Sequence, residues 1–72
     1  MNKVERTLKF IQEKIISGDW QVGTKISSEN ELSKELGVSR ATIRSAISKM
    51  EAMDILVKKQ EDGTYINSTN PE

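Results

Sequence analysis

Residues 37–50, GVSRATIRSAISKM, place Arg40 and Arg44 one helical turn apart, and the stretch contains no acidic residue. Positions four apart on a helix lie about 40° from one another, so both guanidiniums leave the same face. The alternative interpretation is an ordinary solvated helix surface, but such a surface usually carries carboxylates that pair with its bases. The pattern therefore predicts a helix with one basic, hydrogen-bonding face.

A shorter helix is predicted immediately before this stretch. Residues 28–31, SENE, have the form of a capping box, and two leucines follow at helical spacing. We expect this helix to run from about Glu29 to Leu36. Gly37 then supplies the left-handed residue that ends it, and the hydroxyl of Ser39 caps the next helix.

The helix that follows Ser39 has two distinct faces. Ile43, Ile47 and Met50 form its predicted buried stripe. Because so tight a turn prevents the two helices from lying parallel, the pair is predicted to be a helix-turn-helix. The opposite face carries bases and hydroxyls, from Arg40, Thr42, Arg44, Ser45, Ser48 and Lys49.

Composition limits the size and the chemistry of the domain. With 72 residues and neither cysteine nor histidine, the chain is expected to be one small domain held together by packing alone. The same residue content argues against catalysis, so we expect neither an enzyme nor a cofactor. No apolar run approaches the roughly 20 residues of a membrane span, which predicts a soluble, cytoplasmic protein.

Charge is segregated along the chain although it sums to zero. Residues 1–35 hold six bases and six acids, residues 36–50 three bases and no acid, and residues 51–72 two bases and five acids. A nearly neutral body with one basic helix can still bind nucleic acid, although its sequence-independent affinity is expected to be modest.

The flanking segments predict a first helix and a C-terminal hairpin. Apolar residues recur at helical spacing from Lys3 to about Ser17. Residues 56–60 and 64–67 are β-prone, and the Asp-Gly pair between them indicates a hairpin. We also expect a very short strand at residues 25–26.

Three helices followed by a hairpin is the order of a winged helix-turn-helix, a mainly α fold with a small β-hairpin. The residues that carry this order also resemble the N-terminal DNA-binding domain of the GntR family of bacterial transcription regulators. The resemblance covers about two thirds of the chain, from Gly18 to Ile66. Its main segments are VGTKISSENELSKELGVSRATIRSAI at residues 22–47 and QEDGTYI from Gln60.

This resemblance implies binding to a double-stranded DNA operator that is two-fold symmetric in sequence, with the third helix in the major groove and the wing near the minor groove. A guanidinium can pair bidentately with guanine, and hydroxyls and helix N-termini suit phosphates. The DNA-contacting residues that the resemblance implies are Ser28, Asn30, Ser39, Arg40, Ala41, Thr42, Arg44, Ser45, Lys49, Gln60 and Gly63.

The chain departs from the family pattern at three positions or pairs. Asn30 stands where the family usually has an arginine, and Glu61-Asp62 occupies the wing tip where the family has a glycine. We expect these two acids to repel phosphates, so that the wing adds little affinity. Asp54 replaces a glycine after the third helix and is expected to be left-handed.

We expect residues 1–67 to form the winged-helix domain and residues 68–72 to be a linker or tail. Family members carry a larger C-terminal domain that binds a small-molecule effector and dimerises, and no segment here matches it. The resemblance therefore implies a mostly monomeric DNA-binding domain, whose full-length form would be a homodimer. The FadR-like, HutC-like and aminotransferase-fused branches of the family stay open, with a slight preference for the first.

A protein-interaction or dimerisation module with the same fold is the competing hypothesis. It would require an exposed apolar patch, for which Phe10 and Ile16 are the candidates. Trp20 is expected to cover the core, with base stacking as the alternative. Salt-sensitive retention on duplex DNA would favour the DNA-binding hypothesis, and salt-insensitive self-association the interaction module.

Overall fold

The computed structural model describes residues 2–59 and 62–67, which form three helices and a two-stranded antiparallel hairpin. This is the predicted winged helix-turn-helix. The expected tail at residues 68–72 and the expected site residue Gln60 lie outside the described residues. Within the described ranges, no helix is long and apolar enough to cross a membrane. The elements are α1 (Lys3–Ile16), α2 (Glu29–Leu36), α3 (Arg40–Ala52), β1 (Leu56–Lys59) and β2 (Gly63–Ile66).

Each helix begins at a side-chain cap. Asn2 begins α1 and Ser28 begins α2, each in a capping box in which the third helical residue is a glutamate that returns the hydrogen bond. Ser39 begins α3, where its hydroxyl accepts a hydrogen bond of 3.1 Å from the backbone N–H of Thr42. These caps satisfy N–H groups that have no partner inside the helix, and they fix where each helix starts.

The turn between α2 and α3 consists of Gly37, Val38 and Ser39. Gly37 has the predicted left-handed conformation, with φ of 70°. The N–H of Val38 donates to the carbonyl of Ser33 at 3.2 Å, and the Ser33 hydroxyl donates back to the carbonyl of Val38. The side chain of Val38 is buried, so hydrogen bonds and packing together hold the turn in one geometry.

The core lies where the three helices meet the base of the hairpin. Ile11 of α1 and Leu32 of α2 are fully buried there. The predicted stripe on α3 is confirmed, since Ile43, Ile47 and Met50 are all buried. Burying this stripe turns the basic face of α3 outward. The core cluster consists of Ile11, Ile26, Leu32, Val38, Ile43, Ile47, Met50, Ile55, Leu56 and Ile66.

The wing is the β1–β2 hairpin, whose pairing runs from Leu56 opposite Ile66 to Lys59 opposite Gly63. The segment before α2 joins it at a bridge between Lys25 and Tyr65, where backbone hydrogen bonds link residues 23–26 to residues 64–66. In the part of the chain that the structure describes, the short strand expected at residues 25–26 is an isolated bridge at Lys25. The bridge ties the wing to the loop that precedes α2.

Phe10 and Trp20 together cover one side of the core. Their rings meet edge to face, with centroids 6.1 Å apart and planes at 80°. Trp20 is therefore a core lid, as expected. The expectation of an exposed Phe10 was wrong, because its ring packs against Trp20 and the core. Ile16 is exposed as expected, at 83%.

Asp54 confirms the prediction of a left-handed residue after α3, with φ of 61°. Its N–H donates to the carbonyl of Glu51 at 3.0 Å, and its own carbonyl accepts from the side chain of Asn67 at 3.1 Å. This turn reverses the chain into β1 and sets the wing beside α3.

Candidate nucleic-acid interface

The outward face of α3 carries six of the predicted site residues. Five of them are exposed and the sixth, Thr42, is half-buried. Three are positively charged, and α3 has no acidic residue before Glu51. The helix therefore presents a basic surface along its first three turns. The six are Arg40, Ala41, Thr42, Arg44, Ser45 and Lys49.

Ser39 and Thr42 use part of their hydrogen-bonding capacity within the cap. The two hydroxyl oxygens lie 3.0 Å apart and share one hydrogen bond, in which either can be the donor. Because each hydroxyl carries one hydrogen, this pair retains one O–H that can donate to an external acceptor. The two hydroxyls lie at the N-terminus of α3, where the helix dipole favours negative charge.

A groove of about 630 Å³ separates Arg40 from the wing and from the start of α2. It brings together four of the predicted residues, Ser28, Asn30, Arg40 and Gly63. Two lysines, absent from the predicted set, line it as well: Lys25 before α2 and Lys58 on β1. Sequence analysis did not select them as site residues, because their proximity to Arg40 depends on the bridge between the wing and the loop before α2 and on the packing of β1 against α3.

Three acids also line this groove, and each has a hydrogen-bond partner inside the protein. Glu31 accepts from the backbone N–H of Ser28 at 2.9 Å, and this bond is the main cause of the lowered pKa of Glu31. Its charge is thus engaged in the α2 cap. The other two acids are Glu29 and Asp62.

Asp62 accepts a hydrogen bond from the hydroxyl of Tyr65 and lies 3.4 Å from the ammonium of Lys25. The Tyr65 bond, followed by Lys25, lowers the pKa of Asp62, and the same bond raises the pKa of Tyr65. Lys59 lies over the Tyr65 ring, 4.7 Å from its centroid. The charge of Asp62, which was expected to repel phosphates, is thus partly offset by Lys25 and Lys59.

Gly63 lies close to the side chain of Lys25, in a backbone conformation that favours glycine. Its φ is 150°, and a Cβ there would lie 2.7 Å from the Cε of Lys25. The family-like glycine of the wing therefore allows the lysine chain to cross the hairpin and reach Asp62.

Arg44 forms an ion pair with Glu29 of α2. Its Nε donates to the Glu29 carboxylate at 3.0 Å, and its side chain remains 66% exposed while that of Glu29 is 28% exposed. Sequence analysis missed this contact because it noted the absence of acids only within the α3 stretch. The partner lies 15 residues away, and only the crossing of the two helices brings it near.

These features are those of a known family. The family model for bacterial regulatory proteins of the gntR family matches residues 3–66. The chain belongs to this family. Its membership confirms the resemblance seen in residues 22–47 and in the wing.

Two relatives of this gntR-family domain are longer proteins. It is 43% identical over 58 residues to the probable fructoselysine utilization operon transcriptional repressor of Escherichia coli (strain K12), covering 81% of this chain and 24% of that protein. It is 38% identical over 61 residues to the histidine utilization repressor of Pseudomonas putida, covering 85% and 25%. The chain thus spans about a quarter of the length of these relatives.

A solved structure with the same fold is the AraR DNA-binding domain in complex with operator ORX1. The two structures agree with a TM-score of 0.88 at 35% identity, over 92% of this chain and 80% of that one. This match confirms the winged helix-turn-helix. The family and the relatives are regulators, which confirms the prediction that this gntR-family domain is not an enzyme.

Proposed function

We propose that this chain is the sequence-specific DNA-binding domain of a bacterial transcription regulator. The observation that carries the proposal is the acid-free outward face of α3, with Arg40, Arg44 and Lys49 exposed on a rigid helix-turn-helix. The family membership and the operator-bound AraR relative support it. Both curated relatives are described as repressors, and we propose repression for this chain as well.

The dimensions of α3 suit the major groove of B-form DNA. Its 13 residues give a length of about 20 Å, and the groove is about 12 Å wide, which admits one helix. In this arrangement Arg40 and Arg44 pair with base edges, and Lys49 contacts phosphate. Ser45 and Ala41 face the groove, where a hydroxyl and a methyl contact bases without adding charge.

The protein groove between Arg40, the wing and the start of α2 suits the phosphate backbone that borders the major groove of DNA. Ser28 keeps its hydroxyl hydrogen after accepting from the backbone N–H of Glu31, so it can donate to a phosphate oxygen. Asn30 is exposed beside it and supplies amide N–H donors. Lys58 adds a positive charge from the wing. Gln60 and the backbone near Gly63 complete the proposed contacts at the minor groove.

The proposed partner is an operator with two-fold symmetry, bound by two copies of the full-length protein. We propose residues 1–67 as the DNA-binding domain, followed by a linker, with dimerisation and a small-molecule effector assigned to a C-terminal domain. A single domain gives up the gain of about 10²- to 10⁴-fold that tethering two sites provides, so this chain alone binds a half-site weakly. Its place of action is the cytoplasm, where the chromosome is.

Selection from randomised duplexes tests this function. The chain is incubated with the library, and the affinity of the most enriched duplex is measured between about 50 and 200 mM salt. We expect affinity to fall with salt, and the double substitution Arg40→Ala and Arg44→Ala to abolish enrichment. Lys9→Ala is the charge control, since Lys9 lies on α1 opposite its buried residues Thr7 and Ile11.

Two results would contradict the proposal. One is an absence of any enriched sequence with the parent chain. The other is salt-insensitive self-association without retention on DNA, which would favour the protein-interaction module.

A further inference from the structure

We propose that Glu29 is a positioning residue for Arg44, which fixes the direction in which the guanidinium meets a base and so sets sequence discrimination. The inference rests on the DNA-binding function proposed above. It assigns to an acidic residue of α2 a part in what α3 recognises, although Glu29 need not touch DNA itself.

The geometry selects one edge of the guanidinium. The bond to Glu29 uses the N–H on Nε, at 3.0 Å, and an arginine carries four further N–H groups on its two terminal nitrogens. A guanidinium can meet guanine either end-on, through both terminal nitrogens, or side-on, through Nε and one terminal nitrogen. With Nε occupied, Arg44 is left with the end-on geometry.

The exposure of the two side chains indicates that Glu29 orients Arg44 and does not withdraw it from DNA. The Arg44 side chain is 66% exposed on the outward face of α3, and the bond from Nε to Glu29 leaves its two terminal nitrogens available. Glu29 is only 28% exposed and sits at the first residue of α2, where the helix dipole favours its negative charge. The carboxylate is therefore the fixed partner and the guanidinium the one that is held.

Holding Arg44 affects discrimination more than overall affinity. Immobilising a long side chain at an interface has an entropic cost, which is incurred when Arg44 pairs with the correct base and is avoided when the base is wrong. If Glu29 has already ordered the Arg44 side chain, the affinity for the correct base pair rises because that cost is lower, and the affinity for a wrong base pair does not change. Releasing Arg44 should then reduce discrimination at one base pair by about two- to tenfold.

Three variants separate the hydrogen bond from the charge. Glu29→Ala removes the acceptor, and Glu29→Gln removes the charge but keeps an oxygen that can accept from Nε. Glu35→Gln is the matched control, since Glu35 is exposed on the last turn of the same helix. Each is tested against the duplex most enriched by the parent chain and against every single-base-pair change in it.

We expect Glu29→Ala to lose discrimination at one base pair only, and Glu29→Gln to retain most of it. Glu29→Gln and the Glu35→Gln control should bind all duplexes somewhat more tightly, because each loses a negative charge near a polyanion. In Glu29→Ala the same gain is opposed, at the correct base pair only, by the cost of ordering Arg44. In an Arg44→Ala background, Glu29→Ala should change discrimination no further, since the group it positions is gone.

Full discrimination in Glu29→Ala, with a folded protein by circular dichroism, would overturn the proposal. An equal loss in Glu29→Gln and Glu29→Ala would overturn it too, because the charge and not the acceptor would then be responsible. If the parent chain itself prefers no sequence, the proposed DNA-binding function fails, a result distinct from either of these.

Discussion

The ammonium of Lys25 lies 3.4 Å from the carboxylate of Asp62, joining the loop before α2 to the tip of the wing. Both side chains are more than half exposed, so the pair contributes little to stability by itself. Its main effect is on the electrostatic potential around the wing, because the positive charge of Lys25 reduces the repulsion that Asp62 would otherwise exert on phosphates. The ion pair also holds the ammonium of Lys25 at Asp62, where it is not free to contact a phosphate.

Asp62→Asn should therefore strengthen binding to every duplex. The substitution releases Lys25 for a phosphate and is expected to steepen the slope of log K against log salt by up to about 1. Salt titration by fluorescence anisotropy measures both quantities. Asp19→Asn is the matched control, because Asp19 forms a similar surface pair with Lys14 at 3.7 Å. An unchanged slope in Asp62→Asn would place the wing away from DNA.

Stability should fall in acid below about pH 4. The pKa values of Glu31 and Asp62 are lowered by folding, from ordinary values of 4.5 and 3.8, so both carboxylates stabilise the fold when ionised. This contribution is fully present above the unfolded-state pKa and is lost as the pH falls through the lowered folded-state pKa.

Urea unfolding at a series of pH values measures this dependence. Glu31→Gln keeps a capping-box side chain that does not titrate, so its stability should vary less over the same range. A pH profile identical to that of the parent would contradict the assignment of the Glu31 cap as a source of acid sensitivity.

Arg40→Ala and Lys49→Ala should have different effects on DNA binding, the first on sequence preference and the second on overall affinity. If Arg40 pairs bidentately with guanine, its loss costs about 1–3 kcal/mol of binding and relaxes preference at one position. Lys49→Ala should weaken all duplexes similarly, as a phosphate contact does. Because both side chains are exposed, each variant should unfold within about 0.5 kcal/mol of the parent. A loss of stability with unchanged binding would mean that the functions of the two faces of α3 are misassigned.

Gly37→Ala should lower the free energy of unfolding by about 1–2 kcal/mol, the cost of placing a Cβ in the left-handed conformation. A Cβ at this position would meet no atom within 4 Å, so the loss arises in the backbone and not from a clash. Gly37→Asn is the control and should lose less, because asparagine tolerates this conformation better. Chemical denaturation measures the free energy of unfolding of both variants. Equal losses of stability in the two would contradict the backbone explanation.

Trp20→Ala separates the core lid from a base-stacking residue. We expect a loss of about 2 kcal/mol in stability, roughly half the cost of truncating a fully buried tryptophan, with sequence preference unchanged. Thermal unfolding and the duplex selection give the two measurements. A stable variant with weakened binding would favour the stacking role.

Local features of the fold could be predicted from the sequence because their causes are local. The Ser28 and Ser39 caps and the left-handed Gly37 each depend on residues within a few positions along the chain. The left-handed conformation of Asp54 was predicted on other grounds, from the glycine that the resembled family has at this position. The outward direction of Arg40 follows from the burial of the stripe on the other face of α3.

Contacts between distant segments could not be predicted in this way. The pairs Glu29 with Arg44 and Lys25 with Asp62 join residues 15 and 37 positions apart, and their geometry depends on a helix crossing and on the position of the wing. The error at Phe10 has the same origin, because helical periodicity places its ring at the margin of the buried face. Only the return of the chain at Trp20 covers it.

The bridge between Lys25 and Tyr65 also affects how this small sheet behaves in a crowded solution. It covers part of the outer edge of β2, which leaves β1 as the more open edge of the hairpin. An open edge invites pairing with a strand of another molecule, and lysine is one of the residues by which natural proteins discourage this. β1 is four residues long and ends in Lys58 and Lys59. The charges that favour a polyanion thus also keep two wings from joining edge to edge.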